Sequence, residues 1–154
     1  MNQNLVQEQS YTTVFTVSET PEQVFAAINH VSEWWSGEPK VTGSTDQLGD
    51  EFTYQYKDIH RSTHKITELV PGKKVVWHTT DSRINFVNNK SEWTGTDIIF
   101  EISQKGEQTE LRFTHVGLVP VIQCYGDCSG AWGFYINESL YSLITTGNVP
   151  AVAW

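Results

Sequence analysis

Glu110-Leu-Arg-Phe-Thr-His-Val-Gly117, then Gly130-Ala-Trp132-Gly-Phe-Tyr135 and Ser139-Leu-Tyr-Ser-Leu-Ile144, decide how this chain folds. The first stretch alternates like a strand. The other two form a helix in which Trp132, Ile136, Leu140, Leu143 and Ile144 recur at three- and four-residue spacing, with Asn137, Glu138 and Ser142 between them. A helix this apolar needs a large partner surface, and only the preceding strands offer one. The expected architecture is a bent sheet closing on one helix, which tends to leave a pocket between the layers. Asp127 or Ser129 is the expected N-terminal cap and Gly147 the left-handed C-terminal cap. Gly130 and Gly133 each cost about 1 kcal/mol against Ala in a helix, so something, the sheet or a ligand, is expected to approach that end closely.

Working back along the chain, Tyr11 to Val17 reads as a strand rich in β-branched and aromatic residues. Thr20-Pro-Glu-Gln23 then carries a capping box with Pro at the first helical position. The helix it opens buries Val24, Phe25 and Ile28 and closes at His30, and a second short helix runs from Val31 to Trp35. From Lys40 to Val116 the pattern is alternation broken by turns. The strands read from it are Lys40 to Gly43, Glu51 to Lys57, Ile59 to Leu69, Lys74 to Asp81, Thr96 to Ser103 and Thr109 to Val116. Pro71-Gly72 suits a type II turn and Lys105-Gly106-Glu107 a hairpin. The connection from Ser82 to Gly95, with Ile84, Phe86, Val87 and Trp93, is the expected lid.

Composition narrows the partners. The 154 residues fit one domain, 1–154, with residues 1–10 as a flexible N-terminus. Eighteen acidic against ten basic side chains repel phosphate backbones and anionic headgroups, so no nucleic-acid or membrane partner is expected. No apolar run approaches the roughly 20 residues of a membrane helix, and the expected location is the cytoplasm. Six Trp, seven Phe and six Tyr supply either a bulky core or the walls of an apolar cavity.

Strand parity selects the inward side chains. Phe52, Tyr54 and Tyr56 share a face, as do Val75, Trp77 and Thr79, then Ile98, Phe100 and Ile102, then Leu111, Phe113 and His115. His115 is either a satisfied core histidine, bonded to a backbone carbonyl or a tyrosine, or a polar anchor or acid–base group. His60 and His64 would stand roughly 13 Å apart in one extended strand, too far to share a metal. His78 faces outward. Cys124 and Cys128 are read as two buried thiols, with a redox-sensitive pair as the alternative. One of Trp34 and Trp35 belongs to the core and the other to a pocket edge. No nucleophile elbow, P-loop or dinucleotide fingerprint is present, and neither cofactor nor metal is expected.

Several of these fragments together resemble the START-related SRPBCC superfamily. The branch is the AHSA type, named for similarity to the C-terminal domain of the activator of the heat-shock chaperone ATPase. The resemblance rests on Thr20-Pro-Glu-Gln-Val-Phe25, Trp34-Trp35, Glu92-Trp-Thr-Gly-Thr96 with Ile98 and Phe100, and Thr114-His-Val-Gly-Leu118. It continues through Pro120, Cys124-Tyr125, Cys128, Gly130-Ala-Trp132, Ser139-Leu140 and Leu143-Ile-Thr-Thr-Gly147, and so spans Tyr11 to Pro150. It implies an α+β helix-grip (START/Bet v-like) fold, with a seven-stranded antiparallel sheet wrapped around a long C-terminal helix and two short helices after strand one. Superfamily members bind lipids, sterols, polyketides and plant hormones, and some are cyclases or hydrolases.

The first expectation is therefore a binding protein for a small hydrophobic molecule of lipid, polyketide or aromatic type. Its expected contacts are Trp35, Tyr54, Trp77, Phe100, Phe113, Trp132, Tyr135 and Ile136, with His115 as polar anchor. The second is a cyclase or hydrolase using His115 with Tyr54 or Tyr135. The third is a chaperone partner.

Overall fold

A computed structural model describes residues 10–150. Seven antiparallel strands form one sheet in the order β1-β7-β6-β5-β4-β3-β2. They are β1 (Tyr11–Val17), β2 (Thr42–Gly43), β3 (Glu51–Tyr56), β4 (His60–Val70), β5 (Lys74–Ile84), β6 (Asp97–Lys105) and β7 (Gln108–Val116). Strands β2 to β7 form a meander, and β1 returns to pair with β7, Tyr11 opposite His115. Two short helices, α1 (Pro21–Asn29) and α2 (Val31–Trp34), follow β1. This is the helix-grip architecture. The expected N-terminal segment, residues 1–9, lies outside the described residues. Ser10, counted with it, is buried instead, and its hydroxyl accepts the Gly117 N–H at 2.9 Å.

Local chemistry sets the elements. The Thr20 hydroxyl accepts the Gln23 N–H at 3.1 Å while the Gln23 side chain accepts the Thr20 N–H at 2.9 Å, a reciprocal cap worth about 1 kcal/mol. Pro71 and Gly72, the latter at φ 72°, form the turn closed by the Lys73 N–H to Val70 carbonyl bond. Strand β5 runs to Ile84, three residues past the expected Asp81, because its partner β4 reaches back to His60 opposite Ile84. Pairing of β5 with β6 stops at His78 opposite Asp97. Beyond it the β3–β4–β5 end leaves β6, and residues 85–96 fill the gap.

The C-terminal helix spans 125–146 in three consecutive stretches, α3 (Tyr125–Phe134), a π-helical stretch (Tyr135–Leu140) and α4 (Tyr141–Thr146). Gly147 ends it in the left-handed region at φ 80°. The wide π turn lets Tyr135, Ile136, Ser139 and Leu140 all face inward. Ser139 donates to the Trp34 carbonyl at 2.7 Å and ties the helix to α2.

Between sheet and helix the rings pack solid. Trp34 stacks on Trp77 at 6.1 Å, Trp77 meets Phe100 edge-on at 4.9 Å, and Phe100 meets Phe113 at 5.2 Å. Each such side chain removes on the order of 150–250 Å² from water. The pocket expected between sheet and helix therefore does not extend along this row of rings. The open space lies at one end of it.

Candidate functional site

A cavity of about 420 Å³ opens where the start of α3 faces the tip of the β3–β4 hairpin and the 85–96 loop. Trp35 lies flat on Tyr54 at 4.0 Å and 8°, touches Trp132 at 4.8 Å, and Trp132 stacks on Trp93 at 5.7 Å and 14°. These four rings form the inner wall. Tyr56, Ile59 and Phe86 stand at the rim, where Ile59 and Phe86 are exposed. The helix contributes small residues, Gly126, Gly130 and Ala131, with Asp127 and Cys128 beside them. A Cβ built on Gly126 or Gly130 meets nothing within 4 Å, and one on Gly133 meets only the Tyr11 hydroxyl at 3.6 Å. Of the two expected neighbours, the sheet makes no close approach at Gly130. That glycine leaves room for the cavity.

The loop is fastened to the helix start by polar contacts. Glu92 accepts the Gln123 and Cys124 N–H groups at 3.2 and 3.3 Å, and the Gln123 side chain accepts the Asn88 N–H at 2.9 Å. Cys124 occupies the N-cap with no side-chain cap of its own, so neither Asp127 nor Ser129 plays that part. A carboxylate near a helix N-terminus is favoured by the dipole. Glu92 thereby holds its neighbour Trp93 over the cavity.

Two phenols meet at one carbonyl. Tyr54 and Tyr135 both donate to the Ser36 carbonyl, at 3.2 and 3.1 Å, and their oxygens lie 3.1 Å apart. Burial raises both phenols above their ordinary value, and for Tyr54 the nearby Tyr135 adds to it. They stay protonated near neutral pH.

His115 is satisfied at both nitrogens. The Trp132 indole N–H donates to Nδ1 at 3.1 Å, so Nε2 carries the proton and donates to the Thr96 hydroxyl at 2.8 Å, which donates to the Trp93 carbonyl at 2.6 Å. Burial, with a smaller contribution from His60, lowers its pKa to about 3. It is a core histidine, bonded to Trp and Thr rather than to the expected backbone carbonyl or tyrosine.

His60 and His64 lie in one strand, β4, and their side chains lean toward the residue between them. Both Nε2 atoms reach the Ser62 hydroxyl, at 2.9 and 2.8 Å, and Nδ1 of His64 lies 3.0 Å from the Thr79 hydroxyl. The β4–β5 register shifts here, with Thr80 of β5 as the extra residue between the Thr63–Asp81 and His64–Thr79 pairs, which brings the Thr79 hydroxyl opposite His64. Burial lowers His60 to about 4 and His64 well below its ordinary value. His78 is half-exposed and pairs with Asp97 at 2.7 Å. Cys124 and Cys128 are free, buried thiols, and the hydrogen bond of Cys128 to Cys124, then burial, holds Cys128 protonated.

Of the residues expected at the site, Trp35, Tyr54, Trp132 and Tyr135 line the cavity. Trp77, Phe100, Phe113, His115 and Ile136 do not. They sit behind the inner wall, buried in the packed core. Of the tryptophan pair, Trp35 takes the pocket edge and Trp34 the core, where its indole N–H reaches the Ile28 carbonyl at 3.1 Å. His60, weighed from sequence only as a metal ligand, and Trp93, expected in a lid, also line the cavity. Parity with Tyr54, through the Tyr54–Ser62 pairing, carried the signal for His60.

Residues 18–145 match the family described as Activator of Hsp90 ATPase homolog 1-like protein, and the chain belongs to that family. Among solved structures it is similar to the Aha1 dimer from Colwellia psychrerythraea, at 22% identity and TM-score 0.71, over 90% of this chain and 97% of that one. It is also similar to PFC0360w, an Hsp90 activator from Plasmodium falciparum, at 17% identity and TM-score 0.60, over 92% and 98% of the two chains. CalU16 from Micromonospora echinospora follows the same fold at 13% identity and TM-score 0.62, over 88% of this chain and 76% of that one. At these identities the likeness speaks for the fold. No curated protein matches by sequence.

Proposed function

We propose that this family member binds a small, flat, largely apolar molecule in the cavity at the start of the C-terminal helix. The observation that carries the reading is a space of about 420 Å³ walled by Trp35, Trp93 and Trp132 and faced by Gly126 and Gly130. Concave, aromatic sites with few polar groups are the usual form of small-molecule pockets. The helix supplies glycines where any larger side chain would fill the space. Acid–base chemistry through His115 finds no support, because both its nitrogens are engaged inside the protein.

Naphthalene- and anthracene-based compounds test the reading against fatty acids by thermal denaturation. A ligand at a hundred times its Kd adds about 2.7 kcal/mol, a rise in Tm of roughly 5 °C or more for a chain of this size. Gly130→Phe, which fills the space, should abolish that rise. No stabilisation by any compound, or equal stabilisation of the filled variant, contradicts the proposal. Family membership supports a second reading, contact with a chaperone ATPase. It predicts stimulation of that ATPase by the isolated protein.

A further inference from the structure

His60 is the one imidazole that lines the cavity, and its protonation pattern is written into the residues behind it. Its ring is fixed edge-on to Trp93 at 4.5 Å and to Tyr54 at 5.3 Å. Nε2 points back to Ser62, while Nδ1 has no hydrogen-bond partner among the described residues. From Ser62 the contacts continue to His64 and end at the Thr79 hydroxyl, whose residue is fully buried and has no other side-chain partner.

Counting hydrogens leaves two arrangements of neutral rings in which the Ser62 hydroxyl donates to one of them; a third, in which Ser62 accepts from both, strands its own buried hydrogen. In one, His60 donates from Nε2 to Ser62, Ser62 donates to Nε2 of His64, and His64 donates from Nδ1 to Thr79. The Thr79 hydrogen is then stranded. In the other, Thr79 donates to Nδ1 of His64, His64 donates from Nε2 to Ser62, and Ser62 donates to Nε2 of His60. Every interior hydrogen is used, and the proton of His60 sits on Nδ1. A stranded buried donor disfavours the first arrangement by roughly tenfold or more.

We propose that the Thr79–His64–Ser62 relay fixes His60 as the Nδ1–H tautomer, so that the imidazole at the cavity wall acts as a hydrogen-bond donor and favours flat apolar molecules bearing an acceptor oxygen, such as an aryl ketone. The inference rests on the cavity reading and adds a chemical class to it. The two phenols of the inner wall, Tyr54 and Tyr135, do not compete for this role. The hydroxyl hydrogens of Tyr54 and Tyr135 are directed at the Ser36 carbonyl.

Long-range proton–nitrogen NMR correlations of the histidine rings at neutral pH test the relay without any ligand. The expected spectrum shows His60 protonated at Nδ1 and His64 at Nε2. His60 protonated at Nε2 overturns the proposal. Thr79→Val, nearly the same shape without the hydroxyl, should remove the bias and bring in the Nε2–H form of His60, and an unchanged spectrum in that variant overturns the relay.

Selection is tested on the wild-type protein with 2-acetylnaphthalene and 2-isopropenylnaphthalene, which differ by an oxygen in place of a methylene. The ketone should bind roughly tenfold more tightly, the factor expected for one paired polar group. Equal affinities leave the cavity reading standing and overturn the donor. Binding of neither probe removes the cavity reading and the ligand class with it, while the ring spectra still decide the tautomer.

Discussion

At the scale of single residues, the pair His115–Trp132 shows how burial decides a role. An imidazole is a candidate acid or base wherever it stands, but this one spends both nitrogens on Trp132 and Thr96 inside the core. Trp132→Phe keeps a ring and removes the indole donor, which leaves a buried acceptor unpaired. The loss of stability should be at least about 2 kcal/mol in urea denaturation, from the orphaned nitrogen and the lost packing. A loss below about 0.5 kcal/mol contradicts the assignment. The inward direction of His115 was legible from the alternation of Leu111, Phe113 and His115. Its partners were not, because Thr96 and Trp132 come from a different strand edge and from the helix. For His60, the shared face with Ser62 and His64 was legible from alternation along β4, but the Thr79 hydroxyl that ends the run comes from β5 and was not.

At the scale of elements, the C-terminal helix carries both the grip and the opening. Its π-helical stretch turns Tyr135 and Ile136 inward together, a widening that three- and four-residue spacing does not announce. Its first turns are lined with glycine where the cavity lies. Gly130→Ala should raise stability by about 0.5 to 1 kcal/mol, since the new methyl meets no atom within 4 Å and the helix loses a flexible residue. Urea denaturation measures it, and a destabilised variant would show that something does approach Gly130. The capping box, the Pro71-Gly72 turn and the Gly106 hairpin were all legible because their chemistry is local. Strand ends were less so. Where β5 stops depends on how far β4 extends beside it, which no short window of sequence contains. The expected caps Asp127 and Ser129 yielded to Glu92, thirty-odd residues upstream, for the same reason.

At the scale of the molecule, His64 and His115 lie fully buried and His60 half-buried at the cavity wall, all three held neutral, and this gives the protein a pH dependence. Folding lowers His60 to about 4, His115 to about 3 and His64 well below its ordinary value, whereas in the unfolded chain each titrates near 6.5. The unfolded state therefore binds more protons below that value. The stability the neutral rings contribute is complete above about pH 6.5 and falls as pH drops toward the folded values, by up to about 1.4 kcal/mol per pH unit for each ring. Thermal denaturation between pH 7.5 and 4.5 should show a Tm that is level above about 6.5 and declines steeply beneath it. A Tm that is flat across that range contradicts the burial of these rings. The sheet, the order of elements and the family were legible because alternation and turn residues extend along most of the chain. The position of the cavity was not, since parity tells which rings face inward and not which of them pack against one another. The most direct test of the account is a titration of the labelled protein with 2-acetylnaphthalene, followed through the indole N–H signals. Shifts at Trp35, Trp93 and Trp132, with Trp34 and Trp77 unmoved, are predicted; no shifts, or shifts led by Trp34 and Trp77, would contradict it.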